Sequence, residues 1–333
     1  MHTPVRASAP EEGSRSRFSP ADLGMLLVAL TWGANYTLIK VALDVLDPLI
    51  FNAVRMLLAM ATIWVAARLL HTDLRVDRGD IWKLTLLGLL GNTGYQMFFI
   101  HGIDRTTASN TSVMLATSPV MVTVLASLLG IEKVGRWAWL GIAGCVAGIY
   151  FLVTGRGEQV AFGAAHLTGD VLVLCGVFMW ALFTLGSKVF IRRYSPMTVT
   201  FHTMLLGSWP LVLFALPRVA TQAWEPVGWQ AMGAAVVSGV LAIGVSYIIW
   251  NYGVKHLGAS RTAVYVTVPP VITAIVGWFV LGERFSGLQW LGAALTLAGV
   301  ALTRLAKAGP PDDRPAPPAQ AERQPLPSQG HPH

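Results

Sequence analysis

Apolar residues in this chain gather into long, nearly unbroken stretches separated by short polar loops, with none of the one-sided alternation of a water-soluble sheet or bundle. A bilayer hydrocarbon core of about 30 Å needs about 20 apolar residues at about 1.5 Å rise each. Ten stretches meet that length, near residues 21–43, 49–70, 81–101, 107–129, 135–153, 169–190, 196–217, 228–252, 262–280 and 285–305. The pattern predicts an all-α integral membrane protein of ten transmembrane helices. Residues 1–20 have no apolar run ahead of a cleavage site and are expected to form a cytosolic tail. Residues 306–333, proline-rich and polar, are expected to be a disordered cytosolic tail.

The stretches repeat. Asp22, Trp32, Lys40 and Pro48 recur 148 positions later as Asp170, Trp180, Lys188 and Pro196. Gly102, Ala108, Ser109, Pro119, Glu132, Trp139, Gly141 and Gly148 recur 151 positions later as Gly253, Ala259, Ser260, Pro270, Glu283, Trp290, Gly292 and Gly299. A unit read twice fixes the architecture. It predicts a first repeat at 21–153, a linker at 154–168 and a second repeat at 169–305. Each holds five helices, an odd number, so the second copy must enter the membrane upside down.

With the amino terminus inside, the inner loops hold Arg68, Arg75, Arg78, Lys83, Lys133, Arg136, Lys188, Arg192, Arg193, Lys255 and Arg261. The outer loops hold Lys40, Arg105, Arg156, Arg218 and Arg284, so the count is eleven against five. The positive-inside rule then puts both termini in the cytosol and the chain in a bacterial inner membrane. Inverted halves around a midplane site are the architecture of many secondary transporters.

Composition narrows the picture further. The chain is 54% hydrophobic and 12% charged, against about 25% charged in soluble domains. Its net charge of +7 lies in loops and forms no stripe, so no nucleic acid partner is expected. Cys145 and Cys175 both fall within apolar segments and read as buried small residues. No Walker motif, His-Glu-x-x-His pair or nucleophile beside a base occurs, so an ATP-driven pump or an intramembrane enzyme is disfavoured, and no cofactor or metal is expected. A channel would want a ring of charges or carbonyls, which kinked inverted halves do not offer.

Trp32-Gly33-Ala34-Asn35, the Gly282-Glu283 turn, and the starts Trp139-Leu140-Gly141 and Trp290-Leu291-Gly292 resemble the bacterial drug/metabolite transporter superfamily, in its ten-helix type with two EamA-like repeats. The first half departs from the pattern with Ile131-Glu132 in place of Gly-Glu. Within the superfamily the chain is similar to inner-membrane exporters of amino acids and related metabolites, including aromatic amino acid exporters. The resemblance implies helices 1–4 and 6–9 around a central cavity, with helices 5 and 10 outside it.

Polar groups in hydrocarbon are costly, so a polar helix face points to a cavity or a partner helix. Segment 1 presents Trp32, Asn35, Tyr36 and Lys40 as one stripe, echoed in segment 6 by Trp180, Thr184 and Lys188. Segment 3 offers Asn92, Tyr95, Gln96 and Phe99; segment 8 offers Ser246, Tyr247, Trp250 and Asn251; Tyr265 joins them from segment 9. These read as substrate-lining residues, with interhelical hydrogen bonding as the competing role, while the two lysines read as snorkelling.

Arg55 is the one arginine well inside an apolar stretch. It could bind a substrate carboxylate, pair with Asp44 or Asp47, or snorkel outward. His202 is the one histidine well inside a span and is the place for a proton if transport is proton-coupled. No acidic residue lies inside any span, which favours facilitated diffusion of a small amino-acid-like molecule by a monomer in the bilayer. Pro119 and the Pro269-Pro270 pair occupy matching positions and read as hinges. Glu132 and Glu283 read as helix-terminus caps, and Gly144 with Gly148 as a small-xxx-small packing pair.

Overall fold

The computed structural model describes residues 19–130, 135–155, 164–257 and 265–305, and every regular element among them is helical. The chain runs α1 (Pro20–Leu43), α2 (Pro48–Leu69), then α3 (Arg78–Gly88) through a π-helical stretch (Leu89–Gly94) into α4 (Tyr95–Arg105). Next come α5 (Ala108–Ala116), α6 (Ser118–Leu128), α7 (Arg136–Thr154), α8 (Ala164–Ile191), α9 (Pro196–Gly207) and α10 (Trp209–Thr221). After these, α11 (Trp229–Val236) passes through a second π-helical stretch (Val237–Val245) into α12 (Ser246–Leu257). A 3-10 turn (Tyr265–Thr267), α13 (Pro269–Leu281) and α14 (Gly287–Leu305) complete it. The expected tails, most of the linker, and Glu132, Lys133, Ala259, Ser260 and Arg261 lie outside the described residues.

Among the described residues, six helical spans are long and apolar enough to cross a membrane: Pro20–Leu43, Pro48–Leu69, Ala108–Leu128, His166–Ile191, Pro196–Thr221 and Trp229–Trp250. Leu23, Leu27 and Leu30 on α1 and Trp278, Phe279 and Val280 on α13 are more than half exposed. Such surfaces are stable where lipid is the solvent, and the protein is a multi-pass membrane protein.

Local chemistry sets the helix starts. Ser19 caps α1: the Asp22 N–H donates to its hydroxyl at 3.3 Å, and the Asp22 carboxylate accepts the Ser19 N–H at 2.8 Å. Asp47 caps α2 by accepting the Leu49 N–H at 2.8 Å, and Ser195 caps α9 by accepting the Thr198 N–H at 3.1 Å. A proline follows each cap, where its missing N–H costs nothing.

The expected helix 107–129 is two helices that meet at Thr117, with Pro119 in the first turn of α6. Pro269 and Pro270 likewise open α13, just after Val268 breaks the helical run. The prolines therefore stand in the first turn of a helix, directly after a break, and not inside a continuous helix. Thr117 and Val268 stand 151 positions apart, so the breaks match. Gly130 takes φ +67°, as does Gly282, so a glycine supplies the left-handed turn one residue ahead of the Ile131-Glu132 departure.

α7 and α14 pack along glycines. A Cβ on Gly141 would lie 2.6 Å from the Gly299 carbonyl oxygen, and one on Gly148 the same distance from that of Gly292. The pair that permits contact is thus Gly141 with Gly148, seven apart. Gly144, whose Cβ would meet nothing closer than 3.6 Å, is not part of it. The face is internal to the chain.

A second contact is made twice. Gly239 sits against the Arg55 carbonyl, where a Cβ would be 2.6 Å from the oxygen, and Gly88 sits against the carbonyl of Thr203. The two glycines are 151 apart and the two carbonyl residues 148 apart. What α2 does to the second π-helical stretch, α9 does to α3.

Candidate functional site

A cavity of about 660 Å³ lies between the first and second halves, in the range of pockets that enclose a small metabolite. α1 contributes Trp32, Asn35 and Tyr36, α2 Arg55, and α4 Tyr95, Gln96 and Phe99. α8 contributes Trp180 and Thr184, and α12 Tyr247 and Trp250. Eleven of the sixteen residues read from the sequence as substrate-lining or as candidate carboxylate or proton sites are in this wall. Pro119 and Pro269 are there too, at the helix breaks.

The aromatic rings form two groups. Trp32 and Trp250 stack with centroids 5.6 Å apart and planes 28° apart, and the Trp32 indole N–H donates to the Ala242 carbonyl at 2.7 Å. That carbonyl lies in the second π-helical stretch, a kind of turn found often at functional sites. On the other side, Tyr95 stacks on Phe99 at 5.6 Å and meets Trp180 at 5.1 Å, and Trp180 meets Phe183 at 5.2 Å. The Trp32–Trp250 group and the Tyr95–Trp180 group each join one half of the chain to the other.

Arg55 is the charged residue in the described wall. It is 2% exposed, so it does not snorkel. Nor does it pair with Asp44 or Asp47: its Nε donates to Asn52 Oδ1 at 2.7 Å, one terminal nitrogen to Gln96 Oε1 and the other to Ser238 Oγ at 3.4 Å. Its guanidinium also lies 5.2 Å from the Phe99 ring centre and 5.6 Å from that of Phe51. Neutral partners orient the group without cancelling its charge, because α2 turns Arg55 inward while the two aspartates sit on the loop at its end.

Five candidates sit elsewhere. The Ser246 hydroxyl is buried and donates to the Leu241 carbonyl at 2.8 Å, five residues back. The Asn92 amide donates to the Thr203 carbonyl at 2.9 Å, a buried α9 contact away from the wall. The His202 Nδ1–H donates to the Thr198 carbonyl at 2.9 Å, one turn back on its own helix. The Tyr265 hydroxyl donates to Asp22 at 2.8 Å and ties the 3-10 turn to the start of α1. The Asn251 side chain lies outside the described residues. Lys40 does not snorkel either: its Nζ donates to the carbonyls of Ile103 and Asp104, both at 3.0 Å, capping the end of α4.

Sequence reading missed Ser112, Ser118 and Thr123 of α5 and α6, along with Thr303 and Leu305 at the end of α14. The hydroxyls were visible as polar residues in an apolar stretch. Thr303 and Leu305 were not, because helix 10 was expected outside the cavity. Asn35 adds a polar atom without a partner: it is 7% exposed, and its Oδ1 accepts no hydrogen bond from the protein.

One family model, described as the EamA-like transporter family, matches residues 19–154 and again residues 167–305. The chain belongs to that family. Among relatives of this EamA-like transporter, an uncharacterized transporter of Archaeoglobus fulgidus is 30% identical over 86% of this chain and 97% of its own length. The uncharacterized transporter YoaV of Bacillus subtilis is 23% identical over 84% of this chain and 94% of its own length. A protein of Streptantibioticus cattleyicolor named a probable terminal-alkyne amino-acid exporter is 28% identical over 86% and 94%. A crystal structure superposes with a TM-score of 0.60 at 18% identity, covering 86% of this chain and 96% of that one, which speaks to the fold alone.

Proposed function

We propose that this EamA-like transporter is a facilitative secondary transporter that exports amino acids or related small carboxylate-bearing metabolites across a bacterial inner membrane by alternating access. In this reading, residues 21–153 and 169–305 are inverted five-helix repeats, both termini are cytosolic, and the working unit is a monomer. The cavity carries the proposal: both halves wall it, one buried cation and two aromatic groups line it, and the helices beside it break at matched positions, Thr117 and Val268. The contact made twice, Gly239 on Arg55 and Gly88 on Thr203, supports halves related by a two-fold axis. Five helices in each half, the number expected from the sequence, would set that axis in the membrane plane. The name of the Streptantibioticus relative supports an amino-acid-like substrate.

Counterflow in liposomes holding purified protein tests the reading, using labelled amino acids, amines and sugar phosphates with and without a pH gradient. Exchange of amino acids or similar carboxylates without a gradient is expected. Accumulation only under a proton gradient would replace facilitated diffusion with proton coupling. Exchange confined to sugar phosphates would replace the substrate class.

A further inference from the structure

Resting on the transporter reading above, and selecting within it the carboxylate-bearing metabolites over amino acids themselves, the geometry points to a substrate bound and moved as a net organic anion, a carboxylate on a flat apolar body with no free ammonium, so that transport is electrogenic. Charge in the wall is the first argument. Arg55 is buried and bonded only to neutral groups, and no Asp, Glu or His joins it among the described lining residues. A buried charge without an opposite charge is costly. A monoanion entering the cavity makes the loaded site neutral, whereas a zwitterion leaves it positive and brings an ammonium beside a guanidinium.

The second argument is shape. The stacked Trp32–Trp250 pair and the Tyr95–Trp180 pair give a planar body two faces to lie on. The unpartnered Asn35 Oδ1 is an acceptor that suits a ligand hydroxyl or amide N–H and adds no charge.

Direction follows from these charges. The loaded carrier changes access as a neutral complex, and the empty carrier returns bearing the charge of Arg55. An inside-negative potential pulls that positive site back toward the cytosol, so the potential drives export through the return step and no proton or sodium ion is required. One charge moved through 100 mV corresponds to about 2.3 kcal/mol, a concentration ratio of about 50.

The test uses the full chain in liposomes, with potentials set by potassium gradients and valinomycin, and two labelled probes of one size: phenylpyruvate, a monoanion, and phenylalanine, a zwitterion. Phenylpyruvate is expected to accumulate toward about 50-fold in vesicles held 100 mV positive inside and to be expelled when the sign is reversed. Replacing Arg55→Gln is expected to cut that flux at least tenfold. Folding of the variant is checked by its melting curve, and Arg55→Lys is expected to restore the potential response in part. A phenylpyruvate ratio that ignores the potential overturns the inference, as does transport of phenylalanine with no transport of phenylpyruvate; both leave a working transporter. Failure of both probes and of every counterflow substrate, in folded and inserted protein, overturns the transporter reading and the inference with it.

Discussion

The Glu283 carboxylate closes on the start of α5: one oxygen accepts the Ala108 N–H at 2.8 Å and the other the Ser109 N–H at 3.1 Å, across 175 and 174 residues of chain. The sequence placed Glu283 in a turn ahead of its own helix. The structure gives it the end of a helix from the other half, because Gly282 at φ +67° swings the chain back over α5. A carboxylate on free N–H groups at a helix N-terminus is worth about 1–2 kcal/mol. Replacing Glu283→Ala is expected to cost that much and lower the melting temperature in detergent. Because the contact fastens one half to the other beside the cavity, a cysteine placed at Ser112 should also react faster with a thiol reagent in the Glu283→Ala background.

The α7–α14 face separates two glycines of one helix. Replacing Gly148→Ala drives a Cβ to 2.6 Å from the Gly292 carbonyl oxygen and closer still to the Thr296 hydroxyl. Overpacking of this kind costs about 1–3 kcal/mol. Gly144→Ala meets its nearest neighbour at 3.6 Å and gains about 1 kcal/mol of helix propensity. Unfolding in detergent should show the first variant destabilised and the second unchanged or more stable.

Those glycines mark where the chain is legible from its sequence and where it is not. Apolar stretch lengths and the repeated Asp, Trp and Pro positions report burial in lipid and a duplicated unit, and these survive in a one-dimensional pattern. The lining stripe on α1 was readable because Trp32, Asn35 and Tyr36 recur at helical spacing. Which side of a polar helix meets the cavity and which meets a neighbour was not: Gln96 lines the wall while Asn92, one turn away, bonds Thr203. Periodicity ranks faces by polarity and cannot name the partner. Arg55 shows the same limit, since its bonds to Gln96 and Ser238 depend on two helices distant in sequence.

At the α3 start, a charge cluster makes stability depend on pH. The Asp80 carboxylate accepts from the Tyr194 hydroxyl at 2.9 Å, from Arg193 at 2.7 Å and from Lys83 at 3.1 Å. The Tyr194 hydrogen bond first, then the Lys83 bond, hold it below the usual carboxylate range. Its folded pKa is depressed from an unfolded value of about 3.9, so the cluster stabilises fully above that pH and loses its contribution as pH falls through the depressed value. Replacing Asp80→Asn should lower the melting temperature at pH 7, with the gap to wild type narrowing below about pH 4. A gap unchanged down to pH 3 would show that the carboxylate charge contributes nothing.

Trp250 offers a test of the aromatic wall that separates binding from packing. Its ring stacks on Trp32 and lines the cavity, and roughly 0.5–1.5 kcal/mol attaches to such a pair beyond the area it buries. Removing a surface that holds a flat substrate in both access states weakens binding uniformly and leaves the turnover step alone. Replacing Trp250→Ala is therefore expected to raise the apparent KM for aryl substrates about tenfold, with maximal flux within about threefold of wild type, and to affect small aliphatic substrates less. Trp250→Phe, which keeps a stacking face, should recover most of the affinity. Equal loss of maximal flux on every substrate at unchanged KM would mean that the ring holds α12 against α1 and takes no part in recognition.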